Sequence, residues 1–166
     1  MIRSKYLDNL IDSLTILPGV GRKSAERMAY QLLNINPQKS VHLSEQLKNI
    51  ENKISRCLLC GIFLDQEEVN LQTDNSCHIC ERLNRDLSKI CVTESTSDVY
   101  MINDSTSYNG YFFVLKGNLS PIDGRGPAEI GLDRLQNRLN TCDVKELILA
   151  TSTTIEGEAT AHYIRD

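Results

Sequence analysis

Residues 17–29, LPGVGRKSAERMA, contain the turn that decides the fold of the first third of this 166-residue chain. Pro18 ends a preceding helix, two glycines permit a tight reversal, and a second helix starts at once. The amide groups at the start of that helix carry the positive end of its dipole and can bind a phosphate. Because Lys23 and Arg27 lie one helical turn apart, both can pair with neighbouring phosphates. The turn therefore predicts a phosphate contact that reads no base sequence, with candidate residues Gly19, Gly21, Arg22, Lys23 and Arg27. A hairpin turn without a ligand is the alternative.

Apolar residues spaced three and four apart predict helices on both sides of this turn, over residues 3–15 and 22–33. A third helix is predicted over residues 40–56. The side chains expected to face the core are Ala25, Met28, Ala29 and Leu32 in the second helix and Leu47, Ile50 and Ile54 in the third. Residues 1–56 are thus interpreted as a small helical module.

Four of the six cysteines form two Cys-x-x-Cys pairs that are 16 residues apart. This spacing predicts one structural zinc ion per chain, because four thiolates complete a tetrahedron and leave no position for a substrate water. The expected ligands are Cys57, Cys60, Cys77 and Cys80. A redox pair and unrelated buried thiols are the alternatives. His78 is expected at the surface, and Cys91 and Cys142 in the core.

After the cysteines the pattern changes to short apolar strands that alternate with helices. Strands are predicted over residues 90–93, 111–115 and 146–150, and helices over residues 95–103, 127–139 and 156–164. Such alternation is typical of a parallel sheet with covering helices. The chain is therefore interpreted as an α+β or α/β multi-module protein, with modules at residues 1–56, 57–80 and 81–166.

Composition and charge narrow the function classes. The chain is 40% hydrophobic and 24% charged, and it has neither an apolar run of membrane-spanning length nor a secretory leader, so a cytosolic protein with no membrane partner is expected. Residues 1–56 hold nine Lys and Arg against five Asp and Glu, whereas residues 57–166 hold nine against seventeen. Since the acidic part would repel a phosphate backbone, any DNA contact is expected in the first module. The absence of Trp and the low aromatic content disfavour a binder that stacks single-stranded bases.

These motifs together resemble the RecR family of bacterial recombination mediators. Residues 17–29 are similar to the helix-hairpin-helix of that family, and the four-cysteine module follows in the same order. The last part resembles the family's Toprim domain through ICVTE at 90–94, LSPIDGRGP at 119–127 and LATSTTIEGEAT at 149–160. Relative to the family the chain is expected to be C-terminally shortened.

The resemblance bears on catalysis. Toprim enzymes hold magnesium with one glutamate and a later Asp-x-Asp; Glu94 matches the glutamate, but Ser152 and Thr154 stand at the aspartate positions. Because magnesium sites depend on carboxylates, a non-catalytic domain is expected. A Toprim-type magnesium-dependent nuclease, primase or topoisomerase-like enzyme is the alternative. A zinc-stabilised protein-interaction module without a DNA role is a second one.

The resemblance also implies a function in recombinational DNA repair. RecR-like proteins form a ring-shaped homo-oligomer around DNA, pair with RecO and RecF, and help to load RecA on gapped or single-stranded DNA. Binding to single- and double-stranded DNA and a cytoplasmic, nucleoid-associated location follow from that role. The acidic residues expected to contact a protein partner are Glu94, Glu146, Glu156 and Glu158.

Overall fold

The structure, a computed structural model, describes residues 4–66 and 76–166. The middle of the predicted zinc module, residues 67–75, lies outside the described residues, as does residue 3 of the first predicted helix. The chain divides into two compact units, Met1–Asn52 and Lys53–Asp166. The first unit is helical and the second combines a parallel sheet with a cysteine cluster, which confirms the expected multi-module α+β fold. The division at residues 56 and 80 stays a prediction.

Three helices build the first unit: α1 (Lys5–Leu14), α2 (Arg22–Asn34) and α3 (Pro37–Lys53). Its small core consists of Ile11, Ala25 and Ala29, which are fully buried, with partly buried leucines of α1 packed around them. The two alanines let α1 and α2 approach closely. At the surface the Arg22 guanidinium donates to the Asp12 carboxylate at 2.7 Å and so ties the start of α2 to α1.

Helix α3 differs from its prediction. It begins at Pro37, three residues earlier than expected, because proline has no amide hydrogen to lose in the first turn of a helix. The buried stripe predicted for this helix is wrong: α3 has no buried residue, and Leu47 and Ile50 are 62% and 54% exposed. Met28 of α2 is likewise exposed, and Ile54 belongs to the following strand. Periodicity showed an apolar face on α3, yet the small core of this unit does not cover it.

The second unit starts with an antiparallel hairpin of β1 (Ile54–Arg56) and β2 (Phe63–Asp65). A parallel sheet follows, in which β3 (Asp86–Thr93) lies between β4 (Gly110–Val114) and β5 (Glu146–Ala150). The covering helices are α4 (Thr96–Ser105), α5 (Leu132–Thr141) and α6 (Ile155–Arg165). None of the helices in the described residues is long and apolar enough to cross a membrane.

The sheet separates two cores because successive side chains of a strand point to opposite faces. Ile90, Val92 and Phe113 belong to one core, with Leu115, Ile130, Leu132 and Leu135. Cys91, Phe112 and Val114 belong to the other, together with Ile62, Leu64, Ile79, Val99 and all four cysteines of the predicted zinc site. The cysteine segment has no core of its own and uses one face of the sheet.

Two local expectations need correction. The helix predicted over residues 127–139 begins at Leu132, because residues 127–131 form a turn that ends in Gly131 with a left-handed φ of 84°. Cys91 is buried as expected, but Cys142 is exposed because it follows the last residue of α5.

One buried hydroxyl joins α6 to the loop after β4. Thr160 is fully buried; its Oγ1 accepts the Leu119 amide at 2.9 Å and donates to the Glu156 carbonyl at 2.7 Å.

Thr160→Val should lower the free energy of unfolding by about 1–3 kcal/mol, because the Leu119 amide loses its partner. Thr141→Val is the matched control, since Thr141 makes the same bond to the carbonyl four residues back but is exposed. Urea unfolding measures both, and equal losses would contradict the role of the Leu119 bond.

Candidate metal centre and nucleic-acid interface

The two Cys-x-x-Cys pairs meet in one buried cluster. The sulfur atoms of Cys57, Cys60, Cys77 and Cys80 all lie within 4.8 Å of one another. The Sγ atoms of Cys60 and Cys77 are 3.5 Å apart, and those of Cys57 and Cys80 are 4.0 Å apart. Sulfurs at 2.3 Å from one tetrahedral zinc ion would be separated by about 3.8 Å. The four side chains therefore fit a single tetrahedral metal ion.

Each pair is folded as a knuckle in which a backbone amide faces a sulfur. The Cys60 amide lies 3.5 Å from the Cys57 sulfur, and the Cys80 amide lies 3.4 Å from the Cys77 sulfur. The first knuckle, Cys57–Cys60, is the turn of the β1–β2 hairpin and closes with Gly61 at a φ of 85°. A Cβ at Gly61 would lie 3.0 Å from the Val114 carbonyl, so this position needs glycine for both reasons.

The four thiols strongly perturb one another. Hydrogen bonds with the neighbouring thiols, Cys60 first, lower the pKa of Cys57, while hydrogen bonds with Cys57 and then the other thiols raise the pKa of Cys80. Four thiolates packed this closely would repel each other without a cation. A bound metal ion removes that conflict and is coupled to the release of thiol protons.

The cysteine cluster is tied directly to the sheet. The Val114 amide at the end of β4 donates to the Cys60 carbonyl at 2.6 Å. Behind the second knuckle the Arg85 guanidinium donates to the carbonyls of Ile79 and Gly110 and to the Asn103 side chain. Cluster geometry and sheet geometry therefore depend on each other. His78 is exposed as predicted and is not one of the four ligands.

The glycine turn of the first unit is open and positively charged. Gly19 has a φ of 76°, Gly21 directly precedes α2, and neither has an atom within 4 Å of where a Cβ would stand. Lys23 and Arg27 are exposed on one face of α2, and neither forms an ion pair with the described residues. Arg22 instead pairs with Asp12. The turn thus leaves two cations and the first amides of α2 available to an anion.

The Glu94 carboxylate is part of a hydrogen-bonded network with Ser152, Thr154 and Gly157, which we call the Glu94 latch. Its Oε1 accepts the Ser152 amide at 2.7 Å, the Ser152 and Thr154 hydroxyls are 2.8 Å apart, and the Thr154 oxygen caps α6 by accepting the Gly157 amide. A Cβ at Gly157 would overlap Ser152, so the loop is tightly packed. Among residues 4–66 and 76–166, only the four cysteines form a group of three or more metal-binding side chains. Glu94 with two neutral hydroxyls does not fit a magnesium site.

The acidic candidates do not all lie on the same side of the sheet as Glu94. Glu146 is the first residue of β5 and lies opposite Lys89 of β3. The Lys89 ammonium is 3.7 Å from the Glu146 carboxylate. Glu94, in contrast, follows the carboxyl end of β3. Glu156 and Glu158 lie exposed in the first turn of α6, beside the Glu94 latch. Three of the candidates therefore lie at the carboxyl edge of the sheet and one at the opposite edge. Their role in partner binding stays a prediction.

Sequence reasoning gave no role to the arginines that brace the knuckles. Arg85, Arg134 and Arg138 all donate to backbone carbonyls at the cysteine knuckles. The only sequence sign was the spacing of Arg134 and Arg138, four residues apart on α5. Their targets are backbone oxygens distant in sequence, and a side-chain pattern cannot indicate those.

The two units and the cysteine cluster define a helix-hairpin-helix and Toprim protein with a four-cysteine site. Residues 7–50 match the family model of the RecR helix-hairpin-helix, and residues 88–166 match that of the Toprim domain. Recombination protein RecR of Xanthomonas oryzae pv. oryzae strain MAFF 311018 is 45% identical over 97% of this chain and 78% of its own length. RecR of Xanthomonas campestris pv. campestris strain 8004 is 44% identical over the same shares. The chain belongs to the RecR family, which confirms the resemblance.

The Glu94 latch gives a testable distinction between a structural carboxylate and a metal ligand. Glu94→Ala should lower the free energy of unfolding by about 1–3 kcal/mol because the Ser152 amide loses its acceptor, and Glu94→Gln should cost less because an amide oxygen can replace it. Glu146→Ala is the control, since an exposed ion pair contributes about 0–1 kcal/mol. Denaturant unfolding is followed with and without millimolar magnesium. A stabilisation by magnesium that Glu94→Gln abolishes would contradict the latch.

Proposed function

We propose that this protein is a DNA-binding mediator of recombinational repair that acts without catalysing a reaction on DNA. In this proposal it works in the RecF, RecO and RecR pathway and helps to load RecA on gapped or single-stranded DNA. Membership of the RecR family supports the recombination role. The open turn at Gly19 and Gly21, with exposed Lys23 and Arg27, is the observation that carries the DNA contact.

The proposed DNA contact uses charge and backbone amides rather than base recognition. Lys23 and Arg27 pair with phosphates one helical turn apart, and the backbone amides that follow Gly21, at the start of α2, donate to a further phosphate oxygen. Arg22 acts mainly through Asp12, holding α1 against α2 so that the turn keeps its shape. Such a contact accepts single- and double-stranded DNA of any sequence.

The ion that we propose for the cysteine cluster is zinc. Soft thiolate ligands in a tetrahedral set favour zinc, and four protein ligands leave no open position for chemistry. The role is structural, with one ion per chain bound by Cys57, Cys60, Cys77 and Cys80. Because the cluster belongs to the core on one sheet face, the ion stabilises the whole second unit.

A non-catalytic Toprim domain fits the carboxyl edge of the sheet. A magnesium-dependent nuclease, primase or topoisomerase needs several carboxylates to hold its ions. Of the three positions that match the magnesium-binding residues of Toprim enzymes, only Glu94 carries a carboxylate, and its Oε1 accepts the Ser152 amide. The edge therefore offers a fixed acidic surface, with Glu94, Glu156 and Glu158, to a basic protein partner.

The proposed partners are RecO and RecF, which bind the acidic second unit, and further copies of the chain in a ring. A groove of about 580 Å³ in the first unit supports self-association, because leucines of all three helices line it. These include Leu10, Leu14, Leu32, Leu33, Leu43 and Leu47. Since chromosomal DNA is the proposed ligand, we place the protein at the nucleoid in the cytoplasm.

Loss of a zinc ligand should remove the ion and destabilise the second unit. In Cys57→Ser we expect the zinc content to fall from about one ion per chain to near zero, with a loss of several kcal/mol in unfolding free energy. Cys142→Ser is the matched control because Cys142 is exposed and outside the cluster. Metal analysis and denaturant unfolding measure the two quantities. Purified native protein without metal would overturn the zinc assignment.

Removing the two cations of α2 should weaken DNA binding through its salt dependence. Lys23→Gln with Arg27→Gln should reduce the slope of log K against log salt by about 1.8 for duplex DNA, at about 0.9 per phosphate contact. Lys39→Gln, an exposed cation of α3, is the control and should change the slope little. Fluorescence anisotropy with labelled duplex across a salt series gives the slopes, and an unchanged slope in the double variant would refute the assignment.

A gapped substrate incubated with protein, zinc and magnesium separates the proposed function from its alternatives. Retarded DNA with intact strands on a denaturing gel supports a mediator. Cut or extended strands would favour the Toprim enzyme, and absence of any salt-sensitive binding would favour a protein-interaction module.

A further inference from the structure

The first cysteine knuckle carries an exposed apolar surface that neither the metal nor the proposed DNA contact uses. Leu58 and Leu59 stand between the two cysteines of this knuckle and are 64% and 43% exposed. Phe63, at the start of β2, is 49% exposed. Three large apolar side chains therefore project from one short hairpin.

Three arginines surround these side chains and are fixed in place by backbone oxygens. Arg56 donates to the Gly61 carbonyl at 2.8 Å, and its guanidinium lies 4.2 Å from the centre of the Phe63 ring. From α5, Arg134 donates to the Leu58 carbonyl at 3.0 Å and Arg138 donates to the Leu59 carbonyl. We call the six residues the knuckle surface: Arg56, Leu58, Leu59, Phe63, Arg134 and Arg138.

The charge of the knuckle surface is not balanced locally. Within the described residues none of its three arginines forms an ion pair with a carboxylate. Residues 53–166 hold seventeen Asp and Glu against eleven Lys and Arg, so this positive patch stands out from an acidic unit.

We propose that the knuckle surface binds a protein segment in which acidic and apolar side chains alternate. The two leucines and Phe63 receive apolar side chains, while the guanidinium N–H groups not used by backbone carbonyls donate to carboxylates. Each guanidinium is already held by a backbone bond, so less side-chain freedom is lost on binding. Arginine and aromatic residues are also enriched at protein interfaces, whereas lysine is depleted.

A protein segment fits this surface better than a nucleic acid. Arg56 covers one face of the Phe63 ring, so a base cannot stack on that face. The two leucines offer nothing to a phosphate backbone, yet they dominate the tip of the knuckle. This surface goes beyond the proposed DNA contact, which lies on α2 in the first unit.

The test uses the zinc-loaded full chain, labelled with nitrogen-15, and a synthetic twelve-residue peptide that alternates Asp and Glu with Leu and Phe. We expect the peptide to shift the backbone amide signals of Leu58, Leu59 and Phe63. A peptide with Lys in place of the acidic residues is the charge control and should leave them unmoved. Shifts confined to other residues, or none at all, would overturn the proposal.

Peptide affinities of leucine variants test whether the peptide binds at the knuckle surface. Leu58→Ser with Leu59→Ser should weaken peptide binding about tenfold or more, whereas Leu83→Ser, a fully exposed leucine elsewhere in the unit, should have no effect. Because both leucines are exposed, the zinc content of the double variant should stay at that of the parent chain. Equal peptide affinity of the double variant and the parent would refute the proposal. So would a labelled oligo(dT) that binds the parent more tightly than the peptide does and loses affinity in the double variant. DNA binding through Lys23 and Arg27 is measured in parallel and fails or succeeds independently.

Discussion

Four sulfur atoms from two separated segments lie within 4.8 Å of one another. The hairpin turn and one core of the second unit depend on this arrangement. The β1–β2 hairpin has a Cys-x-x-Cys turn because two sulfurs must face the same point. Gly61 closes the turn because any side chain there would press on the Val114 carbonyl. The same sulfurs complete the core on one face of the sheet, next to Cys91, Phe112 and Val114. Four thiolates in that core would repel one another, and a bound cation would remove this repulsion.

Arginine side chains connect the cysteine knuckles to the sheet and to α5. A buried or half-buried carbonyl without a partner is costly, and the knuckles carry several that the sheet ladder does not satisfy. Arg85, just before β3, and Arg138 of α5 meet that need, and their guanidiniums also lie over the rings of Phe112 and Tyr111 at 5.3 and 5.2 Å. A guanidinium suits this position because it offers five donors in a plane that can stack on a ring. Knuckle, sheet and covering helix are therefore one structure rather than a finger attached to a domain.

The sequence predicted the features that depend on residue spacing along the chain. It did not predict those that depend on which distant residues contact a side chain in the folded protein. Cysteine spacing identified all four members of the cluster, and alternating apolar runs located β3, β4 and β5 to within a few residues. Periodicity also found the apolar face of α3, but it could not show that three helices leave Leu47 and Ile50 uncovered. Cys142 looked like a core residue by type and is exposed, because the end of α5 places it outside both faces of the sheet. The arginine bonds to backbone oxygens have no sequence pattern at all.

At the carboxyl edge of the sheet, the two hydroxyl residues Ser152 and Thr154 determine what the neighbouring Glu94 does. In a parallel sheet this edge is where ligands and metals are usually bound, since the loops after the strands meet there. With hydroxyls at Ser152 and Thr154, Glu94 lacks the carboxylates that would share a cation with it, and its Oε1 instead accepts a backbone amide. That bond, the Thr154 cap and the close contact of Gly157 with Ser152 fix the start of α6. The position that would hold an ion in a Toprim enzyme thus holds a loop, and Glu156 and Glu158 are presented to the solvent from a rigid support.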